Sequence, residues 1–505
     1  MGGTAESLRP IFRMKWLFYL VLGLGVLMMI NLTKEQFYEL KKANKVFPVT
    51  FEAHADELTP IVMFYNLEGK NRCLLESALA TKESGRYSFM AENPYLQVTS
   101  CGSNISIIKK DGTKVERTGD LLDTVKELLN IQYSSEYLSL PFSGGAIGYV
   151  GYDMIRQYEK LPDSNIDEIN VPDAYLLFYK TVICYDHYSH KVYIIYNVLG
   201  DDELEYEEIV KLLEETYEKI RVRKDIQSFD KKHLSAEVRS NFTEEEFCDL
   251  VNKAKEYIKK GDVFQVVLSQ RFSIDTEGNS FEAYRRLRSE NPSPYLFYIE
   301  FGDFQVVGSS PERLVSVKDG IVTTNPIAGT RPRGRNKEED KLLAEELLAD
   351  EKERAEHVML VDLGRNDVGR ISEFGTVKVD SFMEVELYSQ VMHLVSKVSG
   401  KLKEGLSCYD ALKACMPAGT VSGAPKIRAM EIIDELENVR RGIYAGGLGY
   451  FSYDGNMDFC IAIRTIVFKD KTAYIQAGAG IVHDSDPVKE YRETINKAKA
   501  LRLVI

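Results

Sequence analysis

The sequence is poor in cysteine, and the cysteines it has form no pattern. Seven are spread over 505 residues, at 73, 101, 184, 248, 408, 415 and 460, with no C-x-x-C and an odd total. That excludes a disulfide framework and a paired-cysteine zinc site, and fits a chain kept in a reducing compartment. Basic charge is also in deficit. The net charge is -13 and the pI about 5.3, so a nucleic-acid-binding surface is disfavoured. There is no P-loop and no G-x-G-x-x-G after a strand, so nucleotide and dinucleotide chemistry lack support. Repeats and low-complexity tracts are missing as well.

A full-length membrane span is also lacking. The longest apolar run, WLFYLVLGLGVLMMI at 16–30, follows Arg9, Arg13 and Lys15. It falls short of the ~20 residues a span needs, and no A-x-A cleavage site follows it. A membrane anchor, an export signal and translated sequence ahead of the true start compete as explanations. Met28 and Met29 directly precede INLTKEQFYELKKANK, where Thr33 caps a helix. This favours a misplaced start, with residues 1–30 a leader outside the mature fold and the protein cytoplasmic.

What remains is long enough for a large core and reads as mixed α and β. Residues 46–200 show short strands such as VYIIYNV (192–198), and a helix is expected over about 202–223. The polar run 221–241 reads as a linker between a region at 31–225 and one at 242–505. The second region opens with a capping box, Thr243-x-x-Glu246, on a helix that Gly261 ends. VFQVVLSQRF (263–272) alternates as a strand, with Phe264, Val266, Leu268 and Phe272 on one face and Gln265, Ser269 and Arg271 on the other. Asp319-Gly320 marks a tight hairpin.

Two carboxylate pairs carry the chemistry: Glu353-x-x-Glu356-His357 and Glu490-x-x-Glu493. A spacing of three places both members on one helix face, where like charges repel. Oxygen-only ligands suit a hard cation such as Mg2+, held together with an anionic substrate. Two solvated acidic faces would read the same way, and Asp350-x-x-Glu353 could be a capping box. The neighbouring segments favour a site. Gly478-Ala479-Gly480, after the strand TAYIQA (472–477), could bring backbone amides close to a carboxylate as a nest. Asp486-Pro487 caps the helix bearing Glu490 and Glu493. PIAGTRPRG (326–334) reads as a strand end running into a rigid basic loop.

Together PIAGTRPRG, DEKERAEHVMLVDLGRND (350–367), PAGTVSGAPK (417–426) and QAGAGIVHDSDPVKEYRET (476–494) resemble the chorismate-utilising enzymes, in the same order and from about Thr33 to the C-terminus. The resemblance implies an α+β fold of orthogonally packed β-sheets flanked by helices. It makes 31–225 a regulatory region and 242–505 the chorismate-binding catalytic one. The aminodeoxychorismate-forming relatives carry Lys where this chain has Ala328, a covalent nucleophile that alanine cannot replace. The isochorismate- and salicylate-forming relatives carry Lys, a general base, where this chain has Gln265. Both positions point to the branch that joins chorismate and ammonia into anthranilate and pyruvate, the first committed step to tryptophan.

The resemblance further implies Mg2+ held by Glu356 and Glu493, with Glu353 and Glu490 nearby or acting through water. It implies substrate contacts from Gly329, Thr330, Tyr444, Arg464, Gly478, Ala479 and Gly480, and acid/base work by His393 with Thr330, Thr420 and Glu312. His357 reads as structural. A tryptophan-binding segment is implied at Leu74-Leu75-Glu76-Ser77 and Gly85–Phe89, facing Asn291-Pro-Ser-Pro294-Tyr295-Leu296. No glutaminase motif is present, so a separate glutamine amidotransferase subunit would supply ammonia, in a heterotetramer of two large and two small subunits. Two alternatives remain: another chorismate chemistry, or a non-catalytic protein of this fold tethered by residues 16–30.

Overall fold

Local capping decides where the elements around the site begin. The protein is described here by a computed structural model covering residues 17–18, 29–78, 85–134, 136, 138, 140–224, 226, 237–388 and 391–505. Most of the apolar run 16–30, and most of the run expected to be a linker, lie outside the described residues. The elements that position the site are, in chain order, β1 (Cys73–Glu76), α1 (Glu244–Lys260), β2 (Gln265–Asp275), α2 (Ser280–Glu290), β3 (Tyr295–Phe301) and β4 (Ile327–Pro332). They continue with α3 (Glu351–Ile371), β5 (Val391–Lys401), α4 (Lys426–Leu436), β6 (Thr472–Ile481) and α5 (Pro487–Arg502). Thr33 and Thr243 each close a reciprocal capping box, and Gly261 ends α1 at φ 84°. The helix expected at 202–223 is shorter, Tyr206–Ile220. The Asp202 carboxylate accepts the Leu204 N–H and holds that segment in a turn.

Among the described residues the strands form two antiparallel sheets, of 14 and 12 strands, with helices packed against them, which is the α+β class the sequence implied. In the first sheet β1 pairs with β3, Glu76 lying opposite Leu296. In the second, Gly145–Val150 pairs with Gly447–Ser452. The segments before 225 and after 242 therefore share both sheets. A single apolar cluster joins Phe51, Leu74 and Leu213 to Phe272, Tyr298 and Ile475.

β2 is a strand as its alternation predicted, but it starts one residue later than Phe264, which stands 73% exposed beside it. Both of its faces are buried. Val266 and Leu268 enter an apolar cluster with α1 and α4, whereas Gln265, Ser269 and Arg271 face a polar interior where each finds a partner. Asp319 and Gly320 adopt positive φ (50° and 77°) in the hairpin between Arg313–Lys318 and Ile321–Thr324, as expected. PIAGTRPRG is a strand end running into a short loop, as expected. Its first part is β4, paired with β5, and a register shift at Gly329 (φ 66°) re-aims the strand beside the site.

One buried ion pair fastens these elements together. Arg441 and Glu437 are 2% and 1% exposed. Arg441 donates to the Val421 and Val267 carbonyls at 2.6 and 2.7 Å, and Glu437 accepts the Ser269 N–H and hydroxyl at 2.8 Å. Replacing Arg441 by Met strands a buried carboxylate, and should lower unfolding stability by about 3–5 kcal/mol. A urea midpoint equal to wild type would refute this account of the scaffold.

Candidate active site

The two acidic helices begin at Asp caps, and those caps aim their first turns. The Asp350 carboxylate accepts the N–H groups of Lys352 and Glu353, and that of Asp486 the N–H of Lys489. Because the Asp350 cap is one-sided, Glu353 is free to turn away from it and meets Arg331 at 3.3 Å. One turn on, Glu356 accepts a hydrogen bond from Gln265 at 2.9 Å. On α5, Glu493 pairs with Lys497 at 2.7 Å, and the Ser485 hydroxyl bonds Glu490. Burial raises the pKa of Glu356, and the charges of Glu353 and Glu493 raise it further. Burial likewise raises Glu490, with Glu493 adding to the effect. The four carboxylates thus act on one another's charge. Among the described residues, however, no three His, Cys, Asp or Glu side chains stand close enough to hold an ion.

His393 sits on β5 opposite Thr330 of β4. Its Nδ1 donates to the Gly329 carbonyl at 2.9 Å and lies 3.1 Å from the Thr330 hydroxyl. That bond selects the Nδ1–H tautomer and leaves Nε2 as the basic nitrogen. Burial lowers the imidazole pKa; the cations of Arg464 and Lys497 push the same way, while the Gly329 bond opposes them. His393 is therefore a neutral acceptor at neutral pH. Glu312 behaves oppositely. Buried, and hydrogen-bonded by the Thr420 hydroxyl at 3.1 Å and the Ile327 N–H, its carboxyl is pushed up to about 8 by desolvation. His357 is buried with Nε2 2.6 Å from Ser396, and burial pushes it down to about 4; it is structural, as expected.

The anion-binding wall differs from the sequence reading in one respect. Gly478, Ala479 and Gly480 lie inside β6, paired in register with Ser269, Leu268 and Val267, and do not follow it as a nest. A strand in register has its amides committed or alternating, so the glycines serve mainly to keep space. A Cβ on Gly478 would stand 2.8 Å from the Tyr444 hydroxyl, and one on Gly480 2.6 Å from Gln265 Nε2. Arg464 has a positive φ of 51° and donates to the Lys497 carbonyl at 2.6 Å; Tyr444 and Glu493 both act on its charge. The Arg441 guanidinium lies 5.6 Å from the Tyr444 ring centroid.

The segments expected to bind an amino acid are direct neighbours, since Glu76 and Leu296 face each other across β1 and β3. Pro294 leads into β3, and Ala78 N–H binds the Ser293 carbonyl at 3.0 Å. Glu76 is not a free acceptor. It already takes the Tyr284 hydroxyl (2.6 Å), Arg288 (2.9 Å) and the Ser88 hydroxyl (3.1 Å). Tyr295 directs its hydroxyl away, to Asp458 at 2.9 Å. Ser77 Oγ is buried without a hydrogen-bond partner. Residues 79–84 lie outside the described residues.

Lys497 and Arg331 were missed as site residues. The signal for Lys497 was present as Glu493-x-x-x-Lys497, but that spacing also describes an ordinary helix-surface pair. Arg331 sat within a motif read as a strand end running into a rigid basic loop.

Glu312 gives a test by pH. A carboxyl whose folded pKa exceeds its unfolded value favours folding at low pH, and that contribution is lost as pH climbs from about 4.5 to about 8. Gln stays neutral, so Glu312→Gln should be more stable than wild type at pH 9, by an amount of the order of a few kcal/mol, and lose the gain at acid pH. Parallel melting-temperature curves for the two proteins between pH 5 and 9 would show that Glu312 is ionised throughout.

Residues 71–502 match the chorismate binding enzyme family. The chain is 48% identical over 479 residues to anthranilate synthase component 1 of Acetivibrio thermocellus, covering 93% of this chain and 97% of that protein. It is 47% identical to anthranilate synthase component 1 of Aquifex aeolicus, covering 95% and 98%. The crystal structure of anthranilate synthase component I from Streptococcus pneumoniae superposes with a TM-score of 0.76 at 46% identity, over 89% of this chain and 98% of that one. The menaquinone-specific isochorismate synthase of Escherichia coli shares the fold at a TM-score of 0.70 and 20% identity, over 91% and 95%. The chain belongs to the chorismate binding enzyme family.

Proposed function

We propose that the chain converts chorismate and ammonia to anthranilate and pyruvate as the large subunit of an anthranilate synthase. The observation that carries the choice of reaction is the pair Gln265 and Ala328. Gln265 has no usable basicity and spends its amide on Glu356. Ala328, in β4 next to the His393 pairing, offers no nucleophile. Relatives at 47–48% identity over nearly the whole chain carry the same name.

In this reading Arg464 binds the enolpyruvyl carboxylate through its two-pronged guanidinium, and the Tyr444 hydroxyl adds a donor. Gly329, Thr330 and Gly478–Gly480 line the ring, with the glycines giving it room. The carboxylate donor set fits Mg2+ in its chemistry: it is oxygen-only, on two helices, and Glu356 and Glu490 are raised in pKa by burial and by neighbouring carboxylates, a cost that a cation would relieve. Glu356 and Glu493 would hold the ion, with Glu353 and Glu490 beside them, and it would anchor and polarise the ring carboxylate. Ammonia adds at C2 as the C4 hydroxyl leaves. Glu312, protonated at neutral pH and supported by Thr420, supplies the proton that lets the hydroxyl go as water. His393 Nε2 then takes the C2 proton as pyruvate departs and the ring becomes aromatic. Ammonia would come from a glutamine amidotransferase subunit, in a heterotetramer of two large and two small chains. Seven free thiols support a cytoplasmic setting.

The reading is tested by product analysis of purified protein with chorismate, Mg2+ and ammonium. Anthranilate is expected, and no chorismate should be consumed without an ammonia source. Accumulation of isochorismate, salicylate or aminodeoxychorismate as the main product would refute it. The metal assignment is tested by Glu356→Gln and Glu493→Gln, which should each cut kcat/KM by about 100-fold or more at ordinary Mg2+ while the fold stays intact. Near-normal turnover in either variant would remove that residue from the ligand set.

We also infer that tryptophan binds where β1 meets β3 and lowers affinity for chorismate by coupling the two sheet halves. The unpartnered Ser77 hydroxyl supports a ligand there, while Glu76 acts through its Arg288 and Tyr284 partners. Ser77→Phe should leave an active enzyme that millimolar tryptophan no longer inhibits. Equal inhibition of variant and wild type would move the site elsewhere.

A further inference from the structure

One edge of the His393 imidazole is held by β4, and its face is held by a residue from another segment. Nδ1 bonds the Gly329 carbonyl at 2.9 Å and lies 3.1 Å from the Thr330 hydroxyl, so both partners sit on the same side of the ring. Tyr388 supplies the other support. Its ring centroid stands 5.3 Å from that of the imidazole at an interplanar angle of 67°, an edge-to-face contact.

Tyr388 is placed for that contact and not for the core. It follows the strand Lys378–Leu387, which pairs with β5. Phe382 and Leu387 of that strand are 53% and 51% exposed, whereas Tyr388 is only 8% exposed. Among the described residues it joins none of the apolar clusters. Hydrogen bonds fix it instead. Its N–H donates to the Val391 carbonyl at 2.8 Å, which turns the chain back onto β5. Its carbonyl accepts Arg333 Nη1 at 2.6 Å, and Arg333 is clamped in turn by Asp340 at 2.6 Å. Its hydroxyl donates to Glu386 at 3.0 Å, and Glu386 stands opposite His393 in the strand pairing.

The ring is thus tied at three points and offers the imidazole a fixed surface. Burial, with the charges of Glu386 and Glu312 beside it, keeps the phenol protonated, so this surface carries no charge of its own. A proton acceptor gains from such a support, because a misplaced basic nitrogen loses rate steeply.

We propose that Tyr388 is a positioning residue for His393: its ring, locked by Arg333 and Glu386, aims Nε2 at the substrate proton. The inference rests on the reading of this chain as an anthranilate-forming enzyme in which His393 is the proton acceptor.

The test follows anthranilate formation by the full chain with chorismate, Mg2+ and ammonium. Tyr388→Phe keeps the ring and should retain kcat within about threefold of wild type. Tyr388→Leu should lower kcat by about tenfold or more while KM for chorismate moves less than about twofold. In a His393→Gln background the same substitution should cost less than about twofold, because two residues acting through one nitrogen are not additive. Arg333→Gln leaves both rings in place and releases the Tyr388 carbonyl, and it carries the same comparison if Tyr388→Leu does not fold. It should cost about threefold in kcat with His393 present and nothing measurable without it. Equal losses in the two backgrounds, a loss confined to KM, or wild-type kcat in Tyr388→Leu overturns the proposal. Wild-type kcat in His393→Gln would instead remove His393 as the acceptor, and a main product other than anthranilate would remove the reaction on which the proposal rests.

Discussion

Four carboxylates on two helices act on one another's charge, and the fold must offset that repulsion without driving the helices apart. Repulsion between such groups is large once they leave bulk water. The fold contains it locally. Gln265 on β2 bonds Glu356, Arg331 on β4 reaches Glu353, and Lys497 on α5 meets Glu493. Each of these partners comes from an element whose own position is fixed by sheet pairing or by an Asp cap. The acidic centre is therefore supported by the same strands that supply the walls of the site.

That support needs a rigid frame, and the frame is polar at its middle. β2 buries both faces, one in an apolar cluster and one in a network of Ser269, Arg271, Gln476, Glu437 and Arg441. A fully satisfied buried network specifies one arrangement more sharply than an oily interface, because every misregister strands a donor or a charge. Arg441 lies at the meeting point of that network with the Tyr444 ring and the Val421 carbonyl beside Thr420. Scaffold and site share these side chains.

Much of this was legible in the sequence for local reasons. Thr243, Asp350, Asp486 and Gly261 act through hydrogen bonds to near neighbours, so their effects can be read from spacing alone. The carboxylate pairs were legible because a helix repeats. What was not legible depends on distant pairing. The strand end in PIAGTRPRG is hard to bound from sequence because Gly329, Pro332 and two arginines break every simple pattern, yet Ile327–Pro332 pairs with β5. Gly478–Gly480 looks like a turn because glycine ends strands more often than it continues them, yet β2 requires it to continue. The commitments of Glu76 could not be read from sequence because its partners Arg288 and Tyr284 lie more than 200 residues away.

The two kinds of glutamate at the site show how far environment, not residue type, sets the chemistry. Glu493 lies on the exposed side of α5 beside a lysine, and so can serve as an anionic ligand. Glu312 is enclosed, with only a hydroxyl and an N–H for company, and no cation close enough to cancel the cost of burying its charge. Its pKa accordingly lies above neutrality, at about 8, and it holds its proton at neutral pH. His393 completes the division from the other side, since burial and two neighbouring cations keep it neutral. A site that must both release a hydroxyl and remove a ring proton needs a donor and an acceptor present together at one pH. Burial, acting with opposite sign on an acid and on a base, is the largest cause of both, and two cations reinforce it at His393.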